Sequence, residues 1–337
     1  MPGLPPTGAR VSLRYRLPPG SATALTDVIG HLEAVSPVVL VRTRSGEVIE
    51  VAPGDVVSVR ELSDAPVRAS AIRAVEHAAA LAWPGLEHRW LGGWFLRAAN
   101  GSTSRTNSAV PLDFSASLSA LDEVADWYAR RGLPAWLALP ERLVPVRAAG
   151  VKQTRVMVRD ISHLSSSRAG RHLSSSRAGR HLSSSRAGRH LSSSRAGPTA
   201  PDCSGVTLLD GPDADWLTVY ERPVPVEVLT AVLDGTVTFA VLPETAVGRG
   251  AVTLAPDGTR WLGISSLRVA TDRRRQGHAR AVCSALLQWG AARGATRVYV
   301  QVLSENTSAI TLYHSMGFRL HHHHRYIDAA VLLRPTL

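Results

Sequence analysis

The segment at residues 267–318 constrains the fold more than any other part of the chain. Residues 264–269 are predicted as a short strand, and a turn of the form R-x-x-G-x-[G/A] follows at residues 274–279. An amphipathic helix is then predicted over residues 279–292. Because the glycine and alanine of the turn have little or no side chain, a ligand can approach the backbone closely there. The unpaired N–H groups at the positive end of the helix suit a pyrophosphate.

A second motif follows the helix and makes the first one specific. An apolar strand is predicted over residues 297–303, and the pattern N-x-x-A-x-x-L-Y-x-x-x-G-F then runs from Asn306 to Phe318. This pattern predicts a short helix that ends at a glycine before a new strand. Together the two motifs resemble the GNAT (GCN5-related) N-acetyltransferase superfamily over roughly residues 205–333. The resemblance implies an α/β (α+β) chain with the GNAT fold, a mixed and mostly antiparallel sheet flanked by helices.

The resemblance also implies acetyl-CoA as a cosubstrate. In the family, the turn and the helix start hold the pyrophosphate, while the strand before the turn splays from its neighbour and pairs with the pantetheine arm. The family asparagine contacts the arm or orders its loop, and it is also a good helix N-cap. The residues predicted to bind acetyl-CoA are Leu267, Val269, Arg274, Arg275, Gln276, Gly277, His278, Ala279 and Asn306.

Acetyl transfer to an amine needs a neutral amine and a proton for the departing thiolate. Tyr313 is the predicted general acid, because the family tyrosine at this position protonates the leaving thiolate. Its phenol, with an ordinary pKa of about 10, is protonated at neutral pH. The alternative is that Tyr313 only packs its ring in the core.

The general base is left open by the sequence, because residues 263–267 contain no carboxylate. The candidates are Glu305, Glu221, a water held by Ser265 or Ser266, and one of the four histidines at residues 321–324.

Those four histidines lie where the last strand is predicted. Strand alternation places His321 and His323 on one face and His322 and His324 on the other. No third ligand is apparent for either pair, so no metal site is predicted.

The net charge of +11 suggests a nucleic-acid partner, but its distribution argues against one. Seven arginines lie in one repeated tract at residues 163–197, and without them the net charge is +4. Lys152 is the sole lysine, which indicates a GC-rich genome rather than selection for phosphate contacts. Two distant cysteines imply a reducing compartment and no disulfide framework. With no signal peptide or membrane span predicted, we expect a cytoplasmic protein.

The chain divides into four predicted regions. Residues 8–62 hold five short strands between turns, typical of a small SH3-like β-barrel. Residues 63–160 are predicted as a degenerate GNAT-like half-domain, because Tyr128-x-x-x-Gly132 echoes Tyr313-x-x-x-Gly317 without a preceding R-x-x-G-x-[G/A] turn. Residues 161–200 form a low-complexity linker, and residues 201–337 a catalytic GNAT domain. The arrangement resembles a group of actinobacterial GNAT proteins.

The linker contains a tandem repeat in which HLSSSRAGR occurs three times unchanged, followed by HLSSSRAG. Each unit has one leucine and cannot bury enough apolar surface to offset its ordering entropy. An inert linker is the simpler interpretation. The alternative is a Ser-Arg tract that binds nucleic acid or is phosphorylated.

The sequence therefore predicts an N-acetyltransferase that moves the acetyl group of acetyl-CoA to a primary amine by direct attack in a ternary complex. The acceptor is a small molecule, an amino acid such as glutamate, or a protein amine. The alternatives are a non-catalytic acetyl-CoA sensor and a nucleic-acid-associated acetyltransferase that docks through the arginine repeat. We expect a small-molecule or peptide acceptor, neither membrane nor nucleic acid as partner, and a monomer or homodimer.

Overall fold

The computed structural model describes residues 4–161 and 205–333. Cys203 and residues 162–200 of the predicted linker lie outside these ranges. The described residues form three sheets and seven α-helices, an α+β architecture with mostly antiparallel strands. None of the described helices is long and apolar enough to cross a membrane.

A small antiparallel β unit occupies the N-terminus. Its strands are β1 (Arg10–Arg16), β2 (Leu25–Ala34), β3 (Val39–Thr43), β4 (Val48–Val51) and β5 (Val56–Leu62). They pair in the order β4-β3-β2-β1-β5. Alternate residues such as Val11 and Leu13 are fully buried, because successive strand residues face opposite sides of a sheet. The predicted small β domain is therefore present.

The middle region begins with an alanine-rich helix. Its elements are α1 (Ala69–Ala82), β6 (Glu87–Leu91), β7 (Trp94–Ala98), β8 (Val110–Pro111), α2 (Leu121–Ala129), β9 (Trp136–Pro140) and β10 (Val151–Asp160). Strands β6, β7 and β8 form a three-stranded sheet. Strand β8 has only two residues, and the loop before it is held by side-chain hydrogen bonds of Asn107.

From residue 264 onward, the C-terminal region follows the order of elements that the sequence predicts. Its elements are β11 (Thr207–Leu209), α3 (Ala214–Tyr220), α4 (Val226–Thr230), β12 (Gly235–Leu242), β13 (Ala246–Leu254), β14 (Arg260–Val269), α5 (His278–Ala292), β15 (Arg297–Leu303), α6 (Thr307–Ser315), β16 (Arg319–Asp328) and α7 (Ala329–Leu333).

One eight-stranded sheet joins the middle and C-terminal regions. Its order is β11-β12-β13-β14-β15-β10-β16-β9, so two strands from the middle region complete it. Strand β10 pairs antiparallel with β15 from Thr154↔Leu303 to Asp160↔Arg297, and with β16 on its other side. The sheet therefore depends on residues from both sides of the repeat. The division into domains at residues 160 and 201 stays a prediction.

Helices cover both faces of this sheet. On one face α5 packs on alternate residues such as Leu262, Ile264 and Val300. On the other face α1 packs through its small residues on Trp261, Tyr299 and Val156. We call this second side the α1 face. The period-two alternation of β14 and β15 thus separates an apolar core from the face on which the polar groups of the site gather.

Candidate active site

Strands β14 and β15 separate at one end, as the family resemblance implies. Their parallel pairing runs only from Trp261↔Arg297 to Ile264↔Val300. Beyond it, β14 contains one extra residue relative to β13, and Ser266 has a left-handed φ of 52°. A bulge of this kind bends the strand and turns its end away from its neighbour. The backbone edge that carries Leu267 and Val269 therefore faces a gap.

The predicted pyrophosphate turn lies at the mouth of this gap. Arg274, Arg275, Gln276 and Gly277 are exposed, and Gly277 is the N-cap of α5 with a φ of 89°. The first helical hydrogen bond joins Ala281 N–H to the Gly277 carbonyl at 3.1 Å. No described residue accepts from the N–H groups of His278, Ala279 and Arg280. Three N–H groups at the positive end of a helix thus face outward.

Glycine is favoured at position 277 because of its backbone conformation and not because space is short. No atom lies within 4 Å of where a Cβ would be, but the positive φ is one that residues with a side chain rarely adopt. The same open space lets an anion reach the helix start. Nearby, the Arg274 side chain reaches back to the Val269 carbonyl at 3.4 Å, which ties the turn to the free edge of β14.

Helix α6 carries the other two predicted residues. The Asn306 side chain caps it by accepting from the Ala309 N–H at 3.1 Å. Tyr313 is 6% exposed and packs its ring against Phe318. Burial, and then the Cys283 thiol, raise the pKa of Tyr313 above its ordinary value. Its hydroxyl is therefore protonated, and no described residue forms a hydrogen bond with it.

Glu76 of α1 and Trp83, which directly follows α1, reach the gap from the α1 face. Neither residue is among those predicted from the sequence. The Trp83 indole N–H donates to the Ser265 hydroxyl at 3.1 Å, at the bulge of β14. The Gln301 amide, just past the paired part of β15, lies 3.4 Å from the Glu76 carboxylate. The sequence contains a pattern that points to Glu76, because this carboxylate lies on the same helical face as the apolar residues Ile72, Val75 and Ala79. A charged residue on an apolar face is expected to be buried and to need a polar partner.

Glu76 is the centre of a buried group of histidines. Its Oε1 lies 2.8 Å from His322 Nε2 and 3.2 Å from His324 Nδ1. Burial alone would raise the pKa of the Glu76 carboxyl, but His324 and His322 lower it below its ordinary value. His321 Nδ1 lies 2.8 Å from His322 Nδ1, which extends the chain of contacts. A charged carboxylate is thus held beside the gap.

The predicted alternation of the four histidines is wrong at its start. A register shift between β10 and β16 places His322 opposite Val156 and Leu320 opposite Met157. The extra residue, His321, therefore contacts His322 instead of sharing the environment of His323. His323 lies elsewhere, within electrostatic reach of Glu61, Arg155 and Arg60. Among described residues, no group of three His, Cys, Asp or Glu side chains could hold a metal ion.

The acidic residues named as possible bases lie outside this group. Glu221 follows α3 and forms an ion pair with Arg268. Glu305 is exposed in the turn before α6. Ser265 and Ser266 do lie at the bulge, where the hydroxyls of Ser266 and Tyr220 are 3.4 Å apart. The structure therefore offers Glu76, a buried carboxylate within 3.4 Å of the Gln301 amide on β15, as a further candidate base.

The comparisons with known proteins cover nearly the whole chain. The family model "Probable histone acetyltransferase Rv0428c C-terminal" matches residues 69–327, and "Rv0428c N-terminal Sm-like domain" matches residues 5–60. The first region therefore matches an Sm-like unit, where the sequence predicted an SH3-like barrel; both are small all-β units.

Relatives match along most of their own length. "Probable histone acetyltransferase Rv0428c" of Mycobacterium tuberculosis (strain ATCC 25618 / H37Rv) is 46% identical, over 97% of this chain and 96% of the relative. "Uncharacterized N-acetyltransferase YobR" of Bacillus subtilis (strain 168) is 26% identical, over 76% of this chain and 97% of the relative. A solved GCN5-related N-acetyltransferase from Kribbella flavida gives a TM-score of 0.49 at 14% identity, over 78% of this chain and 96% of that chain.

Proposed function

Because the chain belongs to the Rv0428c family of GNAT-type acetyltransferases, we propose that it transfers the acetyl group of acetyl-CoA to a primary amine in a ternary complex. One observation carries the proposal. The gap between β14 and β15 opens beside the start of α5, where unpaired N–H groups and the arginines of the turn can hold a pyrophosphate. The pantetheine arm then pairs with the free edge of β14 at Leu267 and Val269.

The reaction needs two proton movements. The amine nitrogen attacks the thioester carbonyl, a C–N bond forms, and the C–S bond breaks as the tetrahedral intermediate collapses. Tyr313 donates its phenolic proton to the departing thiolate, which is consistent with its raised pKa and its unpaired hydroxyl. Asn306 orders the loop before α6 through its cap.

We assign the removal of the amine proton to Glu76 with its two histidines. The charged carboxylate attracts an ammonium group and can accept the proton that the amine releases, while His322 and His324 hold it in place. Replacing Glu76 with Gln should lower kcat/KM by about 10²- to 10⁴-fold. An unchanged kcat/KM in a folded variant would contradict this role.

Two kinds of acceptor are compatible with this chemistry. The name of the Mycobacterium tuberculosis relative suggests a lysine side chain of a protein. A small-molecule amine is the other candidate, because the polar groups on the α1 face lie largely buried under α1. Docking on nucleic acid through the repeat predicts salt-sensitive binding that disappears when residues 163–197 are deleted.

Calorimetric titration with acetyl-CoA tests the proposal. The Gly277→Glu variant should lose binding, because a carboxylate then occupies the anion site. Gly258→Glu is a matched control: Gly258 has a φ of 81° and equally open surroundings, so it bears the same backbone strain away from the gap. Loss of binding in both variants, or in neither, would contradict a pyrophosphate site at this turn.

A further inference from the structure

A rigid loop between β7 and β8 carries an arginine into the site. Asn107, which is 5% exposed, accepts from the N–H groups of Ala99 at 2.8 Å and Gly101 at 2.9 Å. Its own amide donates to the Thr103 carbonyl at 2.7 Å. These bonds close the loop on itself and fix the backbone on both sides of Arg105. The backbone from which the Arg105 side chain extends is thus held by the loop itself.

The Arg105 guanidinium is unpaired in a place where pairing is expected. It lies 5.7 Å from the centre of the Trp83 ring, and its Nε is buried without a hydrogen-bond partner. No described carboxylate forms an ion pair with it. Desolvating a cationic donor without a partner is costly, and an anionic ligand is one acceptor that would offset that cost.

A second arginine adds a spare donor beside the same indole. Arg249 is fully buried 4.3 Å from the centre of the Trp83 ring. Its Nε and Nη2 donate to the carbonyls of Leu229, Ala231 and Ala82, which closes two helix ends. Its Nη1 is buried and unpartnered. Two guanidinium groups with free donors therefore meet at Trp83, and no described acid neutralises either of them.

These groups belong to the acetyl-transfer site by position. Trp83 bonds Ser265 at the bulge of β14. Burial and the Cys283 thiol raise the pKa of Tyr313, and the positive charge of Arg105 opposes that rise, so Arg105 lies within electrostatic reach of the predicted acid. Glu76 is seven residues before Trp83 on the same chain segment, about 10 Å along a helix. The carboxylate and the two guanidinium groups are thus attached to, or contact, the same segment from Glu76 to Trp83.

We propose that Arg105, assisted by Arg249, forms a subsite for a carboxylate on the acceptor, so that the acceptor is a small amine that carries its own carboxylate. The inference rests on the proposed acetyl transfer. Glu76 attracts the ammonium end, and the arginines hold the anionic end with charge-assisted hydrogen bonds. A cationic polypeptide tail fits this site poorly, because it would bring more positive charge to two arginines that have no acidic partner among the described residues.

Matched acceptors test the proposal in the full-length protein. Acetylation of each of the common L-amino acids is compared with that of its carboxamide and with a lysine-containing histone-tail peptide. We expect the best amino acid to exceed its amide in kcat/KM by about 10- to 100-fold. Equal rates for acid and amide, preference for the peptide, or no acetylation of any of these amines by a protein that binds acetyl-CoA would overturn the carboxylate subsite.

The Arg105→Gln variant locates the preference. It should raise KM for the amino acid by about 10- to 100-fold and leave KM for the amide unchanged. Arg89→Gln, at an exposed position of β6, is the matched control and should change neither of the two KM values. A preference that survives Arg105→Gln overturns the assignment to this residue. Failure of the wild type to bind acetyl-CoA would instead contradict the proposed function itself.

Discussion

Helices α2 and α6 end in the same backbone motif but differ at the tyrosine that begins it. In α6, Phe318 N–H donates to the Tyr313 carbonyl at 3.0 Å and Gly317 N–H to the His314 carbonyl at 2.9 Å. In α2, Leu133 and Gly132 repeat both bonds to Tyr128 and Ala129, at 3.1 and 3.0 Å. The sequence echo between the two regions therefore reflects a shared helix ending.

The hydroxyls of Tyr128 and Tyr313 differ in their hydrogen bonds, although the two helices end in the same way. Tyr128 Oη donates to the Arg97 carbonyl at 3.0 Å and accepts from its N–H at 3.2 Å, so it serves strand β7. The Tyr313 hydroxyl has no such partner among the described residues. A tyrosine that is satisfied by the backbone stabilises the fold, whereas an unsatisfied one beside a gap can donate to a substrate. The degenerate half-domain in the middle region stays a prediction.

The largest effect should separate the two tyrosines by activity. Tyr313→Phe removes the proposed acid and should lower kcat by about 10²- to 10⁴-fold while acetyl-CoA affinity is kept. Tyr128→Phe should leave kcat unchanged. Steady-state rates and calorimetry on both variants measure this. An acetyl-CoA sensor would show no loss in either variant.

The second effect is on the free energy of unfolding, and here Tyr128→Phe should have the larger effect of the two variants. Tyr128→Phe leaves the buried N–H and carbonyl of Arg97 without that partner, so the free energy of unfolding should fall by about 1–3 kcal/mol. Tyr313→Phe removes no described hydrogen bond and should cost less. Urea denaturation of both variants gives the values. A larger loss for Tyr313→Phe would mean that its hydroxyl is structural after all.

A third effect concerns acid stability near α6. Burial, and then the charges of Arg60 and Arg155, lower the pKa of His323 to about 3. Its unfolded form protonates near pH 6.5, so His323 stabilises the fold above that pH and loses this contribution as the pH falls towards 3. The free energy of unfolding of the wild type should fall between pH 7 and pH 5, and in His323→Gln this fall should be smaller by about 1–2 kcal/mol.

Urea denaturation at each pH measures this difference, and the series at pH 8 is the control, because histidine is neutral there in both states. A pH dependence identical to that of the wild type would contradict the burial of a neutral imidazole at position 323.

The smallest effect should be the same in both regions. Gly132 and Gly317 have φ values of 64° and 84°, and a Cβ would meet either nothing or only the Arg159 side chain at 3.7 Å. Replacing either with Ala should cost about 1 kcal/mol, because only the left-handed backbone is strained. Thermal or urea unfolding checks the equality. A much larger cost at Gly317 would show that the two endings are not equivalent.

Local sequence patterns specify the parts of the site that lie close together along the chain. The strand before residue 270, the turn at Gly277, the Asn306 cap and the helix that ends at Gly317 all depend on local backbone preferences. A local pattern specifies such elements because their hydrogen bonds connect residues only a few positions apart. The separation of β14 from β15 came from the family resemblance, and the structure agrees with it.

The side chains that face the gap come from parts of the chain that are far apart in sequence. Glu76 meets His322 across 246 positions of sequence, and Trp83 meets Ser265 across 182. The register shift in β16 moved His321 against a prediction made from alternation alone. A buried charge acquires its partners, or lacks them as Arg105 does, through long-range packing of α1 and the β7–β8 loop onto the sheet. Periodicity within one segment carries no information about that packing, so the side chains that we propose to contact the acceptor cannot be identified from local sequence patterns.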